Sequence, residues 1–243
     1  MSQYDVVFLG SSPNALSAAA RLGRARLRVL VLDTAPRPGG PVVSEEFAPG
    51  FLASTGLMSA SLDPELVSAL SLSLEVIRRD RVTALGPRPL TLTEMPALPA
   101  AVSQAIALLR AVHRSPAVDL PTSSDADARV LAALGGQLLA LGERPMHEVL
   151  RLLFLSARDF FQEQVSDERV RALLAGAAVR GLSEGPFAQG TLFGFLHHEA
   201  LDDGLFRCTA RGGLGALTRA LVEAATAAGV EIRCAVPGPL RVA

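Results

Sequence analysis

YDVVFLGSSPNALSAAARLGRARLRVLVLDTAPRPGG, Tyr4 to Gly40, reads as one strand–turn–helix–strand unit. Tyr4 to Leu9 is a short, nearly continuous apolar run, the pattern of a strand buried on both faces. Gly10-Ser11-Ser12-Pro13-Asn14-Ala15 is the turn, and Pro13 suits the first turn of a helix. Leu16 to Arg26 carries helical periodicity through Leu16, Ala19, Ala20 and Leu22. A second apolar run, Arg28 to Leu32, closes on Asp33. An acidic side chain about 20 residues after a glycine turn is where a dinucleotide-binding unit places its ribose contact.

The three glycine positions of such a unit have separate tasks. The first permits the tight turn, the second lets the backbone approach a pyrophosphate, and the third lets the helix pack closely on the strand. Gly10 fills the first, Ser12 replaces the second, and Ala15 is an accepted third. Ser12 adds a side chain where phosphate oxygens belong, although its hydroxyl can donate to them. The helix start, Ser12 to Ala15, offers free N–H groups and a positive dipole end. The turn therefore either holds a dinucleotide or is an inherited βαβ scaffold.

Arg37-Pro38-Gly39-Gly40 follows the second strand directly. This arrangement resembles the FAD-binding segment of two-domain flavoprotein oxidoreductases, and within them the phytoene-dehydrogenase-like branch. Further motifs carry the likeness: Asn14-Ala15-Leu16; Pro49-Gly50-Phe51 before Ser54; Ser156 to Phe160; Gly190-Thr191 before Leu196-His197-His198; and Arg211 to Leu217. The resemblance extends from residue 4 to about 233. It implies an α/β fold with a Rossmann-like domain built from 1–60 and 205–243, and a mostly helical insert, 61–204, like a substrate- or membrane-facing domain. It also implies FAD as cofactor and hydride transfer to it from an apolar, isoprenoid-like small molecule. Relative to that family the chain reads as shortened, without the long second half and its flavin-contacting motif. A catalytically silent binding or assembly subunit, or one half of a split flavoenzyme, is the rival expectation. A covering partner chain or self-association goes with it.

Composition narrows the chemistry. A 49% hydrophobic content in 243 residues supports a well-filled core, and a net charge of −1 gives no basic excess for nucleic acid. All 23 basic residues are arginine, which removes Schiff-base and phosphate-loop lysines. Cys208 and Cys234 form no CxxC pair and are expected as small apolar residues rather than redox thiols. The start of the chain shows no charged leader and no apolar run approaches a membrane span, so a cytoplasmic protein is expected, with peripheral membrane contact through the insert left open.

The cofactor candidates are thus Gly10, Ser12, Pro13, Asn14, Ala15, Asp33, Arg37, Gly39, Gly40, Arg211, Gly212 and Gly213. Arg37 either offsets pyrophosphate charge or sits in a solvated turn; Arg211-Gly212-Gly213 either approach the cofactor or only turn the chain into a helix. His197 and His198 are the catalytic candidates. Neighbours on a helix diverge by about 100°, and no HExxH spacing exists, so no metal site is expected. One could line a substrate pocket; a structural, hydrogen-bonded role is the alternative.

Sequence pattern further predicts loop over 41–62, a helix from Asp63, strands within 74–85 and 89–93, and a connector over 113–124. Helices are predicted over 97–113, 125–141, 146–164, 167–180 and 216–228, and a last strand over 230–234.

Overall fold

A computed structural model describes residues 3–56, 64–120, 124–201, 204–205 and 208–238, and the chain divides into two compact units. The first, Met1–Arg78 with Cys208–Ala243, is discontinuous; the second is Arg79–Arg207.

In the first unit, strand β1 (Val6–Leu9), helix α1 (Pro13–Arg24) and strand β2 (Val29–Leu32) form the expected βαβ unit. β1 and β2 pair in parallel, Val6 opposite Val29 and Leu9 opposite Leu32. The hairpin β3 (Ser44–Ala48) and β4 (Phe51–Ser54) follows, then helix α2 (Pro64–Ala69) and strand β5 (Val76–Arg78). The unit resumes in strand β8 (Cys208–Ala210), helix α9 (Leu214–Ala227) and strand β9 (Glu231–Arg233). β9 joins β2 in parallel, giving the sheet order β1-β2-β9. Leu16, Ala19 and Ala20 of α1 meet Leu217, Ala220 and Leu221 of α9 over Val29 and Val31, which forms one core. Gly23 allows that approach, because a Cβ there would stand 2.7 Å from the Ala228 carbonyl oxygen.

Among the described residues β1 is an edge strand. Gly10 N–H donates to the Leu32 carbonyl at 2.7 Å, so alternation turns the backbone groups of Val7 and Leu9 to the open edge. Their side chains are 47% and 48% exposed, whereas Val6 and Phe8 pack on the core.

The second unit holds the short hairpin β6 (Val82–Ala84) and β7 (Leu90–Leu92) and helices α3 (Ala100–Arg114), α4 (Asp125–Leu139), α5 (Glu143–Leu152), α6 (Ala157–Gln164), α7 (Glu168–Ala178) and α8 (Thr191–Ala200). Its own core gathers Val102, Val149, Phe160, Phe161, Leu174, Phe195 and Leu196.

Several expectations are corrected. The stretch 41–62 contains the β3–β4 hairpin, turned at Gly50 with φ +82°, whose N–H donates to Glu46 at 2.7 Å. Its strands lie mostly exposed, so no strand-like apolar alternation marks them. The stretch 74–85 holds two strands, β5 and β6, in different units. The helix predicted over 146–164 is two helices. Ser156, extended at φ −73° and ψ 141°, ends the run and caps α6 by accepting the Asp159 N–H at 3.1 Å. α8 and β8 were not anticipated as elements. The predicted helix start at Asp63 lies outside the described residues, as does the Cys208 side chain.

Candidate functional site: the glycine turn of the first unit

The chain leaves β1 at Gly10, whose φ of +98° belongs to the left-handed half of conformational space. A Cβ at Gly10 would meet nothing within 4 Å, so the turn is open on that side. Ser12 is the N-cap of α1, its Oγ accepting the Ala15 N–H at 3.3 Å. Leu16 N–H is spent on the Ser12 carbonyl at 2.9 Å, and Pro13 has no N–H. The start of α1 therefore keeps the N–H groups of Ser12 and Asn14 for an anion, and its first turn has no acidic residue to repel one. This is a donor set that fits one diphosphate.

Asp33, the expected ribose contact, follows the end of β2 and accepts hydrogen bonds within the first unit. Only 9% exposed, its Oδ2 accepts the Ser11 N–H at 2.8 Å and, in a short hydrogen bond, the Ser11 hydroxyl. Oδ1 accepts the Ala35 N–H at 2.9 Å. Desolvation pushes this carboxyl upward, but the Ser11, Ala35 and Thr34 donors together outweigh it and hold it below the usual carboxylate range.

Ser11, 1% exposed, is a residue of this turn that sequence reasoning did not single out. Besides donating to Asp33, it receives the Gly39 N–H on its carbonyl at 3.0 Å and on its Oγ at 3.2 Å. The only signal was a small hydroxyl beside the first glycine with an acid one strand away. Gly39 has φ +121°, and a Cβ there would fall 2.7 Å from Thr218 Cγ2. Gly40 lies against Ser12, a Cβ there coming within 3.8 Å of its Cα. The structure thus brings Gly10, Ser12, Asp33, Gly39 and Gly40 together around Ser11.

The remaining candidates disperse. Arg37 is ion-paired with Glu45 at 2.6 Å and lines, with Pro38, Val43, Ser44, Thr218 and Arg219, an open cleft of ≈ 350 Å³. Arg211 pairs with Glu75, which raises its pKa and lowers that of Glu75. Gly212 and Gly213, at φ +82° and +78°, turn the chain into α9, where Gly215 N–H donates to Ser44 Oγ at 3.0 Å. In the second unit, His197 Nδ1 lies 3.1 Å from His113 Nε2 and joins α8 to α3. His198 Nε2 lies 3.1 Å from the Arg180 carbonyl. His197 thus joins two helices, and His198 ties α8 to the turn that follows α7. No cluster of metal-ligating side chains occurs among the described residues, and no helix there is long and apolar enough to cross a membrane. Burial, and then Asp33, raise the Cys234 thiol, which stays partly exposed.

Compared with curated proteins, the chain matches none. Among solved structures it is similar to an oxidoreductase from Methanosarcina mazei, with 18% identity and a TM-score of 0.53, and to a protein from Pyrococcus furiosus, with 15% identity and a TM-score of 0.54. Both comparisons cover 95% of this chain and 51% of the other. A putrescine oxidase variant matches at 17% identity and a TM-score of 0.50, over 95% of this chain and 50% of its own. These likenesses show the fold, an α/β architecture with a parallel sheet; this chain spans about half the length of the structures it matches. The sequence profile described as flavin containing amine oxidoreductase matches residues 16–237, which takes in α1 from Leu16 onward, the Arg37–Gly40 loop and α9. The chain belongs to that family of flavin-dependent oxidoreductases.

Proposed function

We propose that this chain forms the FAD-binding half of a flavin-dependent oxidoreductase. The observation that carries the reading is the start of α1: an open glycine turn, two unspent N–H groups at Ser12 and Asn14, and no acid in the first turn. In this reading Ser12 N–H, Asn14 N–H and the α1 dipole hold the pyrophosphate, and Gly39-Gly40 bound it on the other side. FAD, when bound, supplies the two-electron acceptor. No side chain of this unit is assigned a proton-transfer role. The glycine turn and the Arg37–Gly40 loop act by binding and orientation.

For the substrate, the phytoene-dehydrogenase-like motifs support an apolar hydride donor. The family description instead supports oxidation of a carbon next to an amine nitrogen, and the fold shared with a putrescine oxidase is compatible with it. A second reading is favoured by the half-length coverage: a silent relative that serves as a binding or assembly subunit.

The test is an absorbance spectrum of the purified, gel-filtered chain after reconstitution with FAD. Stoichiometric flavin that stays with the protein is the expected result, and screening with both substrate classes follows from it. A folded chain that retains no flavin overturns the reading and leaves the assembly subunit.

A further inference from the structure

We propose that the open cleft between the segment Arg37 to Ser44 and helix α9 binds a small monocarboxylate with an apolar body, at a site separate from the glycine turn. The cleft belongs wholly to the first unit. One wall is a single face of α9, where Gly215, Thr218, Arg219, Val222 and Glu223 follow the spacing of successive helical turns. Close packing seals the inner end of that face. Gly215 N–H donates to Ser44 Oγ at 3.0 Å, and the Thr218 hydroxyl donates to the Val42 carbonyl in a short hydrogen bond. Gly39 fits against Thr218 only because it lacks a Cβ, which would fall 2.7 Å from Thr218 Cγ2. The space left between the walls is ≈ 350 Å³. At the ~30 Å³ that a water takes in the liquid, this is room for about a dozen non-hydrogen atoms.

The lining selects the ligand. Pro38, Val43 and Val222 make it mainly apolar, so the body of the ligand is an alkyl or aryl group. Arg37 is already paired with Glu45 at 2.6 Å. Arg219 is exposed, and among the described residues no carboxylate pairs with it. One guanidinium is therefore open to a ligand, and its planar fork matches a carboxylate through two parallel hydrogen bonds. Ser44 adds a donor, because its oxygen accepts the Gly215 N–H and its own hydroxyl proton remains to be given. A phosphate dianion fits less well: its second charge would meet Glu223 and Glu45 with no second free cation. Gly39 packs on Thr218, whereas Gly40 faces Ser12, so the cleft and the glycine turn share a loop without sharing a lining.

The test titrates the whole chain with octanoate, read by backbone amide shifts, with octanol, octylamine and inorganic phosphate as comparison probes. Octanoate is expected to shift the amides of Ser44, Arg219 and Val222 and to bind about tenfold more tightly than octanol, the gain typical of a charge-assisted hydrogen bond. Arg219→Gln should bring octanoate down to the octanol level and leave octanol within about twofold. Shorter acids should lose about threefold per methylene removed. The proposal is overturned if Arg219→Gln leaves octanoate unchanged, if octylamine or phosphate binds as tightly, or if millimolar octanoate does not bind. Shifts confined to the exposed hairpin residues Phe47, Phe51 and Leu52 overturn it too. Excess FAD should leave the octanoate affinity as it is; displacement would make the cleft part of the cofactor site. A chain that takes up no flavin loses the FAD reading while the octanoate arms still decide this one. Should Arg219→Gln not fold, the ratio of octanoate to octanol affinity on the wild type decides it.

Discussion

Ser11, Asp33 and Gly39 meet where the glycine turn packs against the segment that follows β2, and their chemistry sets an acid limit on stability. The folded Asp33 carboxyl lies below its ordinary value of about 3.9, held there by its donors against desolvation. A lowered carboxylate stabilises the fold above its unfolded pKa and loses that contribution as pH falls through the folded value. Melting temperature should therefore hold from pH 7 to about 5 and fall below about 4. Asp33→Asn should lie lower at neutral pH and show a shallower acid limb; parallel limbs in the two proteins would remove Asp33 from the explanation. Asp5 adds to the wild-type slope lower down, since its bond to Arg28 holds it at about 2. Sequence made Gly10, Ser12 and Asp33 legible because a βαβ unit fixes their spacing. It could not show Ser11, whose role depends on which way the Asp33 carboxylate turns after β2. The resemblance offers Arg37 either to pyrophosphate charge or to a solvated turn, and Arg211-Gly212-Gly213 either to the cofactor or to a turn into a helix; sequence does not show that Glu45 and Glu75 pair with the two arginines in the fold.

Helix ends carried the most readable signals at the scale of elements. Ser124 heads α4 in a capping box with Asp127, and Asp167 caps α7 by accepting the Arg169 N–H at 2.8 Å. Ser156 is the same device inside an apolar run, where periodicity hides it. Ser156→Ala should cost about 1 kcal/mol by chemical denaturation, the usual value of an N-cap. Phe161→Ala, which empties a site packed edge-on against Phe160 and Phe195, should cost about 3–5 kcal/mol. Equal losses would mean that α6 is held by its cap rather than by its core face. α8 escaped the sequence for the opposite reason. Leu192, Gly194, Phe195, Leu196 and Ala200 are buried around most of its circumference, so no polar stripe marks the helix. The glycine at 194 is required there, because a Cβ would fall 2.1 Å from the Ala178 carbonyl oxygen.

At the scale of the whole molecule, the chain of the first unit is interrupted within an antiparallel ladder. β5 and β8 are antiparallel, with Arg78 opposite Cys208, so the two segments of the first unit break off at neighbouring strand ends. Replacing 79–207 by Asn-Gly should convert β5 and β8 into an ordinary two-residue hairpin. The shortened chain is expected to unfold in one cooperative transition with the α1–α9 core intact, followed by circular dichroism and calorimetry. A molten product would show that the first unit depends on the second. The discontinuity also fixes an order of events during synthesis. β1 and β2 are joined by one helix and leave the ribosome early, whereas β9, the strand that pairs with β2, follows only after the inserted unit has been made. Closing so long an excursion costs an entropy of about 4 kcal/mol for an unstructured chain, and less once the inserted unit has folded and brought its ends together. The parallel sheet therefore stays incomplete while the inserted unit is made, and until β9 arrives the nascent chain must carry β2 with one neighbour and the α1 face that later meets α9 bare.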